Sequence, residues 1–162
     1  MRLAIIVLED EPEVRDALAR DLEGLTGSIR VELAEDVTDA RSLIEEIIED
    51  GDVVALVLAD HRLPGETGVD FLVSTMADDR VSAARRVLIT GQADHTDTIR
   101  AINSGGLDHY IAKPWDVTDL HDVVRTQLTD FVLEEEINPL PYLAHLDATR
   151  AMEAMRNLSP GE

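Results

Sequence analysis

A doubly wound α/β sheet is the fold class that this sequence predicts. Short apolar runs recur along the chain, segments of 3.6-residue periodicity separate them, and most of the runs end on a polar residue. Apolar runs that do not alternate imply strands buried on both faces, as in parallel sheets. The connections between such strands are right-handed.

The first strand is expected at 3–8 and runs into Glu9-Asp10-Glu11. Pro12, favoured at the first helical position, then opens a helix whose stripe is Val14, Leu18, Leu22 and Leu25. The alternating Ile29-Arg30-Val31-Glu32-Leu33 is the second strand. Ala40, Leu43, Ile44, Ile47 and Ile48 form the next stripe, which Gly51 ends. The third strand, 53–59, delivers Asp60 into the turn His61-Arg62-Leu63-Pro64-Gly65-Glu66-Thr67-Gly68. Val69, Leu72, Val73 and Met76 are the expected core face of the third helix.

The fourth strand, 86–89, precedes Thr90 and Gly91. The following helix, about 94–104, has only Ile99 and Ile102 as large apolar residues, so a lightly packed helix of low local stability is expected. A short fifth strand at 110–112 ends on Lys113. Leu120, Val123, Val124, Leu128 and Phe131 form the fifth stripe. In an open parallel sheet the carboxyl ends of the strands share one edge, where ligands bind. Acids, a hydroxyl and an amine are therefore expected to converge there.

One folded unit at 1–133 and an extension at 134–162 follow from this pattern. Asn138-Pro139-Leu140-Pro141 breaks any helix continuing from the Glu134-Glu135-Glu136 run. Asp147 is a candidate cap for a short amphipathic helix with Ala148, Ala151, Met152, Met155 and Leu158 on one face. This tail is expected to lie on the core, to pair with another chain, or to lead into a further domain.

The composition narrows the function. A net charge of −20 opposes binding to nucleic acid and to anionic membrane, whose recognition depends on Lys and Arg. Protein partners or a cation are favoured instead. With no cysteine, disulfides, zinc-thiolate sites and thiol nucleophiles are excluded. His61, His95, His109, His121 and His145 show no metal-ligand spacing, and His61 reads as a surface loop residue. The longest apolar runs fall far below the roughly 20 residues of a membrane span, and no signal peptide is evident, so a cytoplasmic location is expected.

Four motifs together resemble the receiver domain of two-component response regulators, including the chemotaxis-regulator type. They are Val-Leu-Glu-Asp-Glu-Pro ending at Pro12, Leu-Ala-Asp-His-Arg-Leu-Pro-Gly at 58–65, Leu-Ile-Thr-Gly-Gln-Ala at 88–93 and Tyr-Ile-Ala-Lys-Pro-Trp at 110–115. The resemblance covers about 3–133 and implies a flavodoxin-like five-stranded sheet in the order 2-1-3-4-5 with helices on both faces. It implies Asp60 as phosphoacceptor, and Glu9, Asp10, Asp60 and the Arg62 backbone carbonyl as ligands of Mg2+. Thr90 then matches the switch hydroxyl, Lys113 the phosphate-binding lysine and Tyr110 the switch aromatic. Arg62 and Gln92 fall where family members vary the hydrolysis rate, and the peptide between Lys113 and Pro114 is expected to be cis.

The residue types suit that chemistry. Three neighbouring carboxylates repel one another unless a cation joins them, and a divalent ion with Lys113 balances Glu9, Asp10 and Asp60. The expected function is a phosphorylation-activated module that signals through changed protein contacts, with only stoichiometric self-phosphorylation and autodephosphorylation. Its expected partners are a sensor histidine kinase or phosphotransfer protein, and a downstream protein or an output domain beyond this chain. A homodimer through the fourth and fifth helices is a further expectation.

Three other readings compete. A Mg2+-dependent phosphohydrolase with an Asp nucleophile needs a general acid, and Arg62 stands two residues after Asp60 where one is expected. A flavin carrier on the same topology would bring its phosphate against Glu9-Asp10-Glu11. A phosphate-independent pseudo-receiver would not require all of these pocket groups.

Overall fold

The strands β1 (Leu3–Leu8), β2 (Ile29–Ala34), β3 (Val53–Asp60), β4 (Arg85–Thr90) and β5 (His109–Ala112) form one parallel sheet. Its order is β2-β1-β3-β4-β5. The computed structural model describes residues 1–25, 27–91, 95–103 and 106–158, with backbone alone at 95, 97, 98, 101 and 158. Helices α1 (Pro12–Asp21), α2 (Val37–Glu49), α3 (Gly68–Ser74), α4 (His95–Asn103) and α5 (Val117–Glu134) connect or follow the strands. A 3-10 turn (Leu140–His145) and α6 (Ala148–Leu158) complete the chain.

Every residue of β1 is buried, as its unbroken apolar run requires. Side chains alternate across the sheet, so Leu3, Ile5 and Val7 meet α1 and α5 on one face, while Ala4, Ile6 and Leu8 meet α2 and α3 on the other. Asp36 caps α2 by accepting from the Asp39 amide at 2.7 Å, and Asp116 caps α5 through the amides of Thr118 and Asp119. α4 spans the expected segment, and its Ile99 is exposed while Ile102 is half-buried.

Two helical faces differ from the sequence pattern. In α3 the buried residues are Phe71 and Leu72, with Thr75 just beyond the helix, whereas Val73 and Met76 are exposed. The rotation of this short helix is set at Gly68, whose backbone lies against Asp60, and 100° per residue then turns 71, 72 and 75 inward. In α6 Ala151 is fully buried but Met152 is exposed. Ala151 packs into the apolar cluster that holds Leu128, Phe131 and Val132 of α5.

The extension lies on the α1/α5 face. Tyr142, Leu146 and Ala151 join its apolar cluster, and the Tyr142 hydroxyl donates to the Met1 carbonyl at 3.1 Å. The Asp147 amide donates to Thr129 Oγ1, and the Asp147 carboxylate accepts from the Arg150 amide, which caps α6 as the sequence suggested. Among the described residues no helix is long and apolar enough to cross a membrane.

Candidate functional site

Register places the polar strand ends side by side. Leu8 lies opposite Ala59, Asp60 opposite Ile89, and Thr90 opposite Ala112. Glu9, Asp60, Thr90 and Lys113 therefore emerge together at the carboxyl edge of β1, β3, β4 and β5.

Lys113 Nζ lies 2.7 Å from Glu9 Oε1 and 3.1 Å from Asp60 Oδ1. The other oxygen of Glu9 accepts from the Glu11 amide at 3.2 Å, so both sides of this fully buried carboxylate are engaged. Burial pushes the Glu9 carboxyl up, against the pull of Lys113 and the Glu11 amide, and the neighbouring Asp60 charge pushes the same way. Burial pulls the Lys113 ammonium down, but Glu9 and Asp60 together outweigh it and hold Lys113 above its ordinary value. The Lys113 backbone amide also donates to the Thr90 carbonyl at 2.8 Å, tying the β4 and β5 ends together.

Carboxylate oxygens of Glu9, Asp10 and Asp60 all lie within 4.8 Å of one another. Opposite ligands of a magnesium octahedron stand roughly 4 Å apart, at 2.0–2.1 Å from the ion, so a modest contraction would let one ion bridge this set. The donors are hard oxygens, and Lys113 offsets one of three acidic charges. The residues therefore fit a small divalent cation.

Thr90 is buried, with Oγ1 directed to the Gly91 carbonyl at a long 3.3 Å. Tyr110 is half-buried against the α2/α3 side of the core and stacks on His109 with ring centroids 6.1 Å apart. Arg62 is exposed, and Gln92 lies outside the described residues. The peptide between Lys113 and Pro114 is cis.

Two features were missed by the sequence reading. Gly68 donates its amide to the His61 carbonyl at 2.8 Å, and a Cβ there would collide with the Asp60 carbonyl. It is thus the contact that lets α3 start directly beneath the acid; its position eight residues after Asp60 was the available signal. His61 is not a surface residue but 9% exposed, and its Nδ1 has no hydrogen-bond partner among the described residues. Its placement at the end of a buried strand carries it inward.

A five-stranded parallel sheet in this order, with an acidic pocket and a lysine at its carboxyl edge, defines a flavodoxin-like receiver fold. The family model of the response regulator receiver domain matches residues 5–125, and the chain belongs to that family. It is 35% identical over 121 residues to the hydrogenase transcriptional regulatory protein HoxA of Cupriavidus necator, covering 75% of this chain and 23% of that protein. It is 29% identical over 126 residues to response regulator Rre1 of Synechocystis, covering 78% and 52%. The chain thus spans between about a quarter and about half of these relatives. Among solved structures, the signal receiver domain of an HD domain-containing protein from Pseudomonas fluorescens superposes with a TM-score of 0.71 at 27% identity, over 83% of this chain and 93% of that one.

Proposed function

We propose that this chain is a phosphorylation-activated receiver that takes a phosphoryl group on Asp60 and signals by changing its protein contacts. The observation that carries this reading is the joint approach of Lys113 to Glu9 and Asp60 inside a three-carboxylate cluster.

Phosphoryl transfer requires positioning and neutralisation more than covalent machinery from the protein. One oxygen of Asp60 attacks phosphorus in line, the bond from phosphorus to the donor nitrogen or oxygen breaks, and the electron pair leaves with the donor. The donor is the phosphohistidine of a sensor kinase or phosphotransfer protein. Glu9, Asp10, Asp60 and the Arg62 carbonyl would hold Mg2+, which supplies charge neutralisation to the phosphoryl oxygens. Lys113, freed from part of its pairing with Asp60, meets another of those oxygens. Thr90 Oγ1, which bonds the Gly91 carbonyl at 3.3 Å, turns to donate to the new group. Tyr110 then repacks, altering the surface of α4, β5 and α5, a local charge change biasing a two-state element.

The test is intact mass after incubation with acetyl phosphate and Mg2+. One phosphoryl adduct, lost in Asp60→Asn and in chelator, is the expected result. No adduct from any small phosphodonor would refute the reading, and turnover of many phosphate esters per chain would favour a phosphohydrolase.

A further inference from the structure

We infer that the groove between the end of α5 and α6 is a docking surface for a basic amphipathic helix of a partner protein. This surface lies on the extension and does not depend on the phosphoryl reading.

The groove encloses about 590 Å3 and is lined mainly by apolar side chains, among them Val132, Leu133, Ile137, Pro139, Ala154 and Met155. Its walls are fixed rather than loosely apposed. Arg150 on α6 binds Asp130 on α5 at 2.7 Å, the Asp147 amide reaches Thr129, and Ala151 is completely buried between them. Met152, one turn before the lining Met155 on α6, and Leu140, which follows the lining Pro139, are 43% and 52% exposed. Unbranched, polarizable Met side chains adapt to a partner's apolar anchors.

Charge selects the partner's sign. Glu136 lines the groove, and the exposed Glu135 and Glu153 adjoin lining residues in sequence, against the single exposed Arg156. Glu136 lines the groove directly and adopts φ 54°, the left-handed conformation at a helix end where glycine is usual. A Cβ is disfavoured in that conformation, yet an acid occupies the position. A second copy of this chain would bring a further −20 charge and the same acidic rim against it. A helix with Lys or Arg flanking apolar anchors at i, i+3 and i+7 complements both the lining and the rim.

The test is titration of the full chain with a fluorescent Leu/Lys amphipathic peptide of about 18 residues, five helical turns. A Leu/Glu peptide with the same apolar pattern is the control. We expect binding of the basic peptide only, weakened about tenfold by Met155→Asp and by Glu135→Gln/Glu136→Gln, but not by the equally charged Glu46→Gln/Glu49→Gln on α2. Met152→Asp, at an exposed position, replaces Met155→Asp if that variant does not fold. Absence of binding, or equal weakening by both Gln pairs, overturns the inference. So does a sedimenting dimer that Met152→Asp dissociates, because the groove would then hold a second copy.

Discussion

Gly68 lies against Asp60 so closely that any Cβ at 68 would strike the Asp60 carbonyl. Over-packing at such a contact costs typically 1–3 kcal/mol, and here the backbone that must yield carries the proposed phosphoacceptor. Gly68→Ala is therefore expected to lower stability to urea by that amount and to reduce the yield of phosphoryl adduct. Gly91 is the contrast, since among the described residues a Cβ there meets nothing within 4 Å and its backbone needs no positive φ. On the proposed reading, Gly91→Ala should leave the unfolding free energy within about 0.5 kcal/mol of wild type while impairing the adduct, because its methyl would fill space the phosphoryl group needs.

Asp60 brings a second negative charge to the buried Glu9 carboxylate. Its charge helps push the Glu9 carboxyl up, and Lys113 already serves both acids. Asp60→Asn is expected to stabilise the chain in chelator, because it removes a like charge beside the buried Glu9. With Mg2+ at saturating concentration the order should reverse, because the wild type gains the ion and the variant loses a ligand. Urea unfolding with and without Mg2+ measures both; an unchanged order would count against cation binding at this cluster.

Much of this architecture was legible from residues alone because burial on both faces leaves unbroken apolar runs. Leu3 to Leu8 and Val53 to Ala59 could hardly be read otherwise, and the polar residue closing each run marked the edge where Glu9, Asp60, Thr90 and Lys113 meet. What resisted reading depends on contacts between distant segments. The face of α3 turns on the meeting of Gly68 with Asp60, so Phe71 went unnoticed and Val73 and Met76 were placed inside. Arg86 looks like a solvated strand-end charge, yet it is buried, donating to the carbonyls of Leu72, Val81, Ser82 and Ala84 and to the Thr75 hydroxyl. Only the fold brings those acceptors together. The docking of Tyr142 and Leu146 is of the same kind, since neither belongs to a periodic stripe.

Trp115 is the single tryptophan, two residues beyond Lys113, and its indole donates to Asp21 on α1 at 2.8 Å. Movement of Lys113 toward a phosphoryl group should disturb that bond and change the emission. Adding Mg2+ with beryllofluoride is expected to alter Trp115 fluorescence in wild type and to leave it unchanged in Asp60→Asn. Thr90→Ala should still form the adduct but lose preference for any partner that distinguishes the phosphorylated form. Equal partner affinity of phosphorylated Thr90→Ala and wild type would rule out coupling through Thr90.

The extension should be held by apolar burial more than by its ion pair. Arg150 and Asp130 are partly exposed, at 41% and 23% for their side chains, and exposed pairs contribute roughly 0–1 kcal/mol. Ala151 is fully buried, and a charge placed there would be stripped of water. Arg150→Ala should lower stability by less than about 1 kcal/mol. Ala151→Asp should cost about 2–4 kcal/mol or release the tail, seen as rapid proteolysis within 137–158. Equal, small effects of the two substitutions would show that the tail is not docked on α5.

Acid should act on two carboxylates with opposite sign. Asp52 is half-buried, and although its desolvation favours the neutral form, the Arg2 amide at 2.7 Å and the Arg30 guanidinium at 3.1 Å hold it below the ordinary value of 3.8. Its contribution is therefore fully present above about pH 4 and is lost as pH falls through the depressed folded value. Asp52→Asn should cost roughly 1–3 kcal/mol at pH 7, with the difference from wild type closing in acid. Glu9 is raised above its ordinary 4.5, so the folded chain binds its proton more tightly, and the penalty for its charge grows as pH rises through that window. Glu9→Gln in chelator should therefore compare more favourably with wild type at pH 7 than at pH 4. Urea midpoints of the three proteins across pH 3–7 measure both slopes, and parallel curves for Asp52→Asn and Glu9→Gln would contradict the opposed signs.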